Sequence, residues 1–327
     1  MSSDPIDPDA IDPNSIDTAP AQPPDEPAEQ PVEQPAEPQA DRRVGQAYLL
    51  LVVCVCLMLT VGSMVQAWSP YVGPAIIEIF FIFLPALLFV RAKLLPVAQA
   101  LRWRPISAAG ALLAILLGTG GYGVAVGIYL LTIPFIGRGP EIEFFQFETL
   151  PQLALTLFCC AVLPGICEET MFRGVVQSVL GRGGAVKSIL ITSTLFALFH
   201  FSPWNFLPPL FFGVVFGIVT LRSGSTVPTM IAHAATNSTA FTIGYLFHDE
   251  YDPRAQIVCA ALAAGFVVGF PIYLLKTRHQ PTEPEPLASV PAGLSKRQRR
   301  ALAKAGSLFF VGLVFLFVLG IFLRFRG

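Results

Sequence analysis

Three ionisable side chains, Glu168, Glu169 and Arg173, fall within the otherwise apolar run from Cys167 to Gly174. At membrane depth such groups are costly and face a bundle interior or an aqueous cavity. Glu169 and Arg173 stand four residues apart, on one face of a helix, where each offsets part of the other's desolvation. Glu168 is turned from them by about 100° around the helix and is left for another partner. That division gives general-base chemistry to Glu168 and structural support of the site to Glu169 and Arg173. The bland alternative is a pair of interfacial carboxylates that only set the depth of the helix.

His200 closes a second apolar run, and His233 lies in a third with Asn237 one helical turn later, so this imidazole and carboxamide can face one cavity. A neutral imidazole can accept a proton, bind a metal or orient water, and a carboxamide can donate to a developing oxyanion. A single intramembrane histidine is more often a hydrogen-bonded packing residue. Two of them, with a glutamate pair and an asparagine on three separate runs, make a constellation suited to carbonyl hydrolysis. The chain has neither HExxH nor GxSxG, which excludes a zincin helix and a nucleophile elbow. What remains is water directed by Glu and His, with or without a metal.

The elements that must position these residues are set by composition. Of 327 residues, 54% are hydrophobic and 13% charged, too few charges for a soluble domain of this size. Apolar runs recur at 44–68, 71–90, 106–135, 150–180, 185–201, 206–221, 226–247, 255–275 and 306–323. A helix needs about 20 residues to cross about 30 Å of hydrocarbon, so the first, second, seventh and eighth runs read as spans and the fifth and sixth as short ones. Pro164 and Gly165 interrupt the fourth and are expected to bend or restart it just before the charged residues. The fold class expected is all-α, a polytopic transmembrane bundle of eight or nine spans around an intramembrane cavity.

Residues 1–43 read as a disordered tail, because 1–41 hold ten prolines and 11 of the 22 acidic residues with no Lys or Arg, a composition that buries little apolar area. The rest of the chain therefore carries +10, from 21 basic minus 11 acidic residues. That excess, in short segments beside apolar runs, suits anionic lipid surfaces and not nucleic acid. Residues 44–275 read as the membrane domain with its motif core at 150–247, 276–305 as a basic cytoplasmic linker and 306–327 as a terminal hydrophobic helix. Bases near span ends, Arg91, Arg102, Arg104 and Arg222 among them, put the amino terminus on the cytoplasmic side. The six cysteines all lie in apolar stretches and read as reduced, buried hydrophobes.

The patterns EExxxR at Glu168 to Arg173, FxxxH at Phe196 to His200 and HxxxN at His233 to Asn237, in this order, resemble the CPBP family of intramembrane proteases. That family includes the type II CAAX prenyl endopeptidases and bacteriocin-processing or self-immunity proteins. The resemblance covers about residues 150–247. It implies a helical membrane core and cleavage of a peptide bond near the membrane, in one branch beyond an isoprenylated cysteine. It makes Glu168 the activator of water, assisted by His200, with His233 and Asn237 as oxyanion or water-binding partners. Glu168, His200 and His233 could also hold zinc with water as a fourth ligand; a metal-free glutamate mechanism is the other form. The partners expected are membrane lipids and a hydrophobic, membrane-associated or lipid-modified peptide, and the location a bacterial inner membrane.

Other polar residues have plainer readings. Gly213 and Gly217 form a GxxxG pair for close helix packing. Glu78, the other acid in a spanning run, lies outside the motif block; a cavity role, packing, lipid-edge positioning and a partner contact are all open to it, and it is left out of the catalytic set. His248, among Asp249, Glu250 and Asp252, reads as a solvated loop residue. The competing functional classes are a noncatalytic scaffold or immunity factor that holds a peptide, and a small-solute transporter, against which stands the lack of a convincing inverted repeat of broken helices.

Overall fold

The computed structural model describes residues 37–69, 71–92, 97–139, 149–181, 184–247 and 252–276, with the backbone alone at 37–44, 99 and 276. Among these, all regular structure is helical. The linker at 276–305, the run at 306–323, most of the acidic tail and His248 lie outside the described residues, apart from the helical backbone of Lys276.

Helix α1 runs through Glu37–Leu57, a wide π turn Met58–Gly62 and Ser63–Trp68. It begins inside the stretch read as tail, because Pro38 in its first turn sits where no N–H is needed and Glu37 favours a helix start. Helix α2, Val72–Arg91, contains the π turn Ile77–Phe83. A short α3, Val97–Ala100, leads to α4, Ala108–Ile136, and then α5, Leu150–Leu180. Helices α6, Ala185–Leu198, α7, Leu207–Ser223, α8, Val227–Phe247, and α9, Pro253–Lys276, complete the order.

Local sequence explains the ends. Ser107 Oγ accepts the Gly110 N–H at 3.1 Å and caps α4, while Thr149 and Gln152 form a reciprocal capping box on α5, each satisfying a donor the first turn leaves over. Helices α4 and α7 stop at Gly137 and Gly224, whose φ values of 71° and 64° belong to the left-handed region that glycine enters without strain.

Among the described residues, five helices are long and apolar enough to cross a membrane: Gly45–Trp68, Val72–Arg91, Ala108–Ile136, Leu150–Leu180 and Pro253–Leu275. The chain is an integral membrane protein of all-α class, with shorter or more polar helices between these five, and the ninth run of the sequence reading lies outside the described residues. Helices α6 and α7 have 14 and 17 residues, or about 21 and 26 Å at 1.5 Å per residue. The seventh run, read as a confident span, does form a helix of 21 residues. It falls outside the five because it carries His233, Asn237 and several threonines.

Two buried cores flank the polar centre. In one, Leu51, Ile82, Phe172 and Leu195 bring together α1, α2, α5 and α6. In the other, Leu117, Phe216, Ala232 and Phe266 bring together α4, α7, α8 and α9. The outward faces stay apolar: only 11% of the α9 window is buried, and Val267 and Val268 are exposed, as befits a lipid-facing surface.

Close backbone approaches fix the crossings. A Cβ on Gly118 would collide with the carbonyl of Ala232, and one on Gly165 would lie 2.8 Å from the Met230 carbonyl oxygen and 2.9 Å from the Ala234 nitrogen. Gly165 therefore seats α5 directly on α8. The helix does not restart at Pro164 and Gly165 as the sequence suggested, because a π turn at Phe158–Val162 precedes the proline and absorbs its missing N–H.

Two further expectations change. All six cysteines are free and five are buried, but Cys56 is exposed on α1. Arg102, counted with the basic residues at span ends, is buried and donates Nη2 to Ser178 Oγ at 2.5 Å. Burial, with Arg104 nearby, lowers its pKa to about 10, so it remains a cation at neutral pH and ties the loop before α4 to α5.

Candidate active site

The site forms where α5 and α8 cross. Glu169 follows the close contact at Gly165 by one helical turn, and His233 follows Met230 by about one turn. That spacing lets the two side chains meet. Glu169 Oε1 accepts from Arg173 Nη1 at 2.7 Å, with both side chains fully buried. The same oxygen lies 3.0 Å from His233 Nδ1. A carboxylate oxygen accepts, so Nδ1 bears the proton and the Nε2 lone pair is directed elsewhere. His233 Nε2 lies 3.9 Å from Glu168 Oε2, too far for a direct hydrogen bond.

Arg173 is held on all sides. Its Nη2 donates to the Gly213 carbonyl at 3.4 Å, and its guanidinium lies 4.5 Å from the Phe196 ring centroid and 5.5 Å from that of Phe216. One turn further along α5, Gln177 Nε2 donates to the Gly217 carbonyl at 3.1 Å. The GxxxG pair is thus more than a packing surface: its carbonyls accept from two buried α5 side chains, while Gly213 takes the close contact of Ser193 on α6. Gln177 was not singled out in the sequence, although its place four residues after Arg173 was the available signal.

Phe196, first residue of FxxxH, connects the three motifs. Its ring meets His200 edge-on at 5.0 Å and His233 at 5.9 Å, under the Arg173 guanidinium. Its carbonyl accepts from His200 Nδ1 at 2.9 Å, which leaves His200 Nε2 as the free ring nitrogen. Asn237 Nδ2 donates to the Cys160 carbonyl at 3.2 Å. That carbonyl is available because its helical donor would be the N–H of residue 164, which is proline. One of the carboxamide's two donors is therefore committed to structure, which leaves the second for the oxyanion or water-binding role expected of Asn237.

His200, His233 and Asn237 line one cavity of about 190 Å³ with Phe196, Phe212 and Thr236. A neighbouring chamber of about 530 Å³ shares His200, Tyr122 and Asn205 with it and is walled by Tyr129, Phe201 and Trp204. Trp204 Nε1 donates to the Ile136 carbonyl at 3.2 Å and ties the loop before α7 to the end of α4. An apolar, aromatic chamber with a few convergent polar groups suits a hydrophobic ligand. Glu168 is not a wall residue of either space; it joins the group through His233.

Glu168, His200 and His233, the donors considered for zinc, are not gathered into one metal-holding set: among the described residues no group of three or more His, Cys, Asp or Glu side chains has that arrangement. Glu169 and Phe196 each hold Nδ1 of one of the two imidazoles and leave its Nε2 available, but the three donors do not converge on one point among the described residues, and no step is derived through a metal.

Glu78, left out of the catalytic set on sequence, is buried in the π turn of α2, which packs on α5, and its carboxyl lies beside that of Glu168. Nothing in the local sequence of α2 pairs it with a residue of α5, and only the packing of the two helices reveals it.

The geometry places this chain in a class: a helical membrane protein with a buried Glu, Arg and His cluster beside an aromatic chamber. Residues 150–239 match the family model described as "Type II CAAX prenyl endopeptidase Rce1-like", the segment that carries the three motifs. One curated relative, an uncharacterized 24.3 kDa protein of Escherichia coli, is 30% identical over 132 residues, covering 38% of this chain and 59% of the relative. The chain thus spans 59% of the length of that relative. No solved structure matches.

Proposed function

We propose that the protein is an intramembrane endopeptidase that hydrolyses a peptide bond of a membrane-associated substrate with water activated by Glu168. The observation that carries this reading is the chain of contacts Arg173, Glu169, His233 and Glu168. Arg173 fixes the Glu169 carboxylate, Glu169 fixes the His233 tautomer, and His233 Nε2 then faces Glu168 at 3.9 Å. A water held against both groups can give its proton to the Glu168 carboxylate as its oxygen attacks the scissile carbonyl. His200 and Asn237 line the cavity in which the oxyanion would form; the second N–H of Asn237 can donate to it, and the Nε2 lone pair of His200 can accept from the water. The proton on Glu168 then passes to the leaving amine as the C–N bond breaks.

The aromatic chamber and the family-model match over residues 150–239 support a hydrophobic, membrane-associated substrate class that includes peptides ending in a prenylated CAAX-type tail. The amino terminus is proposed to face the cytoplasm of a bacterial inner membrane, as the basic residues at span ends suggest.

Purified protein in lipid vesicles tests the reading. It is expected to cleave a farnesylated CAAX-type peptide or an unmodified membrane peptide at a single bond, read by mass spectrometry, and to retain activity after rigorous metal removal. Binding without cleavage across both probes would instead support a scaffold. Activity lost on chelation and restored by stoichiometric zinc would replace the metal-free mechanism.

A further inference from the structure

Glu78 sits in the widest part of α2, the π turn Ile77–Phe83, and is only 7% exposed. Such turns displace side chains from the regular helical positions and often mark functional sites. Its carboxyl meets Glu168 on α5, and Cys160 and Cys167 of α5 are also close enough to feel its charge. Oxygen Oε2 of Glu78 and Oε2 of Glu168 are both buried without an ordinary hydrogen-bond donor. The buried cation of this region, Arg173, already serves Glu169.

Two ionised carboxylates in contact inside an apolar bundle repel strongly, and such pairs hold one proton between them. A shared proton also answers the two orphaned oxygens, because a neutral acid can donate its O–H to the neighbouring carboxylate. The proton belongs on the more buried partner, where loss of hydration penalises charge most. Glu168, whose side chain is 15% exposed, is the less buried of the two.

We propose that Glu78 is a positioning residue for Glu168: as a neutral acid it donates a hydrogen bond to the Glu168 carboxylate and holds that group towards His233. The inference rests on the reading of Glu168 as the general base, and it adds α2, a helix that carries none of the three motifs, to the machinery. It also accounts for a carboxyl kept where an apolar side chain would cost less to bury.

The test has a spectroscopic arm that needs no turnover. In the infrared difference spectrum of wild type minus Glu78→Gln at neutral pH, the C=O band of a protonated carboxyl is expected, moving on deuteration. In Glu168→Gln that band is expected at a shifted frequency, because its hydrogen-bond acceptor has changed. No such band, or one indifferent to Glu168→Gln, overturns the proposal. The kinetic arm uses the farnesylated peptide and its unmodified counterpart. Glu78→Leu is expected to lower kcat by about 10- to 100-fold, the usual scale for a group supporting a reactive one, with KM nearly unchanged. Glu78→Gln, whose amide can still donate, is expected to keep most of the rate. Wild-type kcat in Glu78→Leu overturns the proposal; if that variant does not fold, Glu78→Gln and the infrared bands decide. If wild type cleaves neither probe, the proteolytic reading fails, and the bands alone judge the pairing of the two carboxyls.

Discussion

Glu169 Oε1 serves two partners at once, Arg173 at 2.7 Å and His233 at 3.0 Å, so its loss should be felt in folding as well as in chemistry. Glu169→Gln leaves the buried guanidinium without its counter-charge, and Arg173→Ala leaves the carboxylate; either should cost about 3–5 kcal/mol of stability, read as loss of folded protein after detergent extraction. Wild-type stability in both variants would show that the pair is not a structural element. Asn237→Ala should also destabilise, by about 1–3 kcal/mol, because it strips the Cys160 carbonyl of its donor in addition to removing a contact to the oxyanion. An unfolding midpoint equal to wild type would show that the Cys160 contact carries no weight. At this scale the sequence was informative about identity and less so about roles. The one-turn spacings of Glu169 with Arg173 and of His233 with Asn237 are local facts that helix geometry turns into shared faces. The bond from Glu169 to His233 joins residues 64 apart in the chain, and no local pattern could announce it.

Helices α5 and α8 place the site through small residues and one proline. Gly165 allows the crossing, and a Cβ there would meet backbone atoms of Met230 and Ala234 that cannot rotate away. Gly165→Val should therefore push the helices apart, with overpacking of about 1–3 kcal/mol and a loss of activity larger than the loss of stability. Cleavage and unfolding at wild-type levels would mean that the crossing tolerates displacement. The sequence marked Gly165 as a possible break because Pro164 precedes it. The structure uses the same dipeptide differently: the π turn accommodates the proline, the carbonyl freed at Cys160 receives Asn237, and the glycine brings α8 into contact. Which reading applies depends on what packs against the helix, and that information is carried by α8.

The whole molecule divides its polar and apolar surfaces as a membrane bundle must. Long apolar helices such as α9 face outward with little burial, and the most polar helix of spanning length, α8, is the one that carries His233 and Asn237. Hydropathy revealed the fold class because lipid contact imposes it on every outward face. It also marked α6 and α7, 14 and 17 residues long, as short runs, apolar without reaching the length of a full crossing. The role of Glu78 was not legible in the sequence, because its meaning depends on α2 lying against α5. The central claim is that Glu168 activates water and is not required for the fold, and the most direct measurement compares Glu168→Gln with wild type in the same vesicles, for cleavage of the farnesylated and unmodified peptides and for thermal unfolding. The account predicts a rate lowered by about 10²- to 10⁴-fold, the contribution of a general base, with peptide binding and the unfolding midpoint essentially unchanged. Cleavage by Glu168→Gln at the wild-type rate would contradict it.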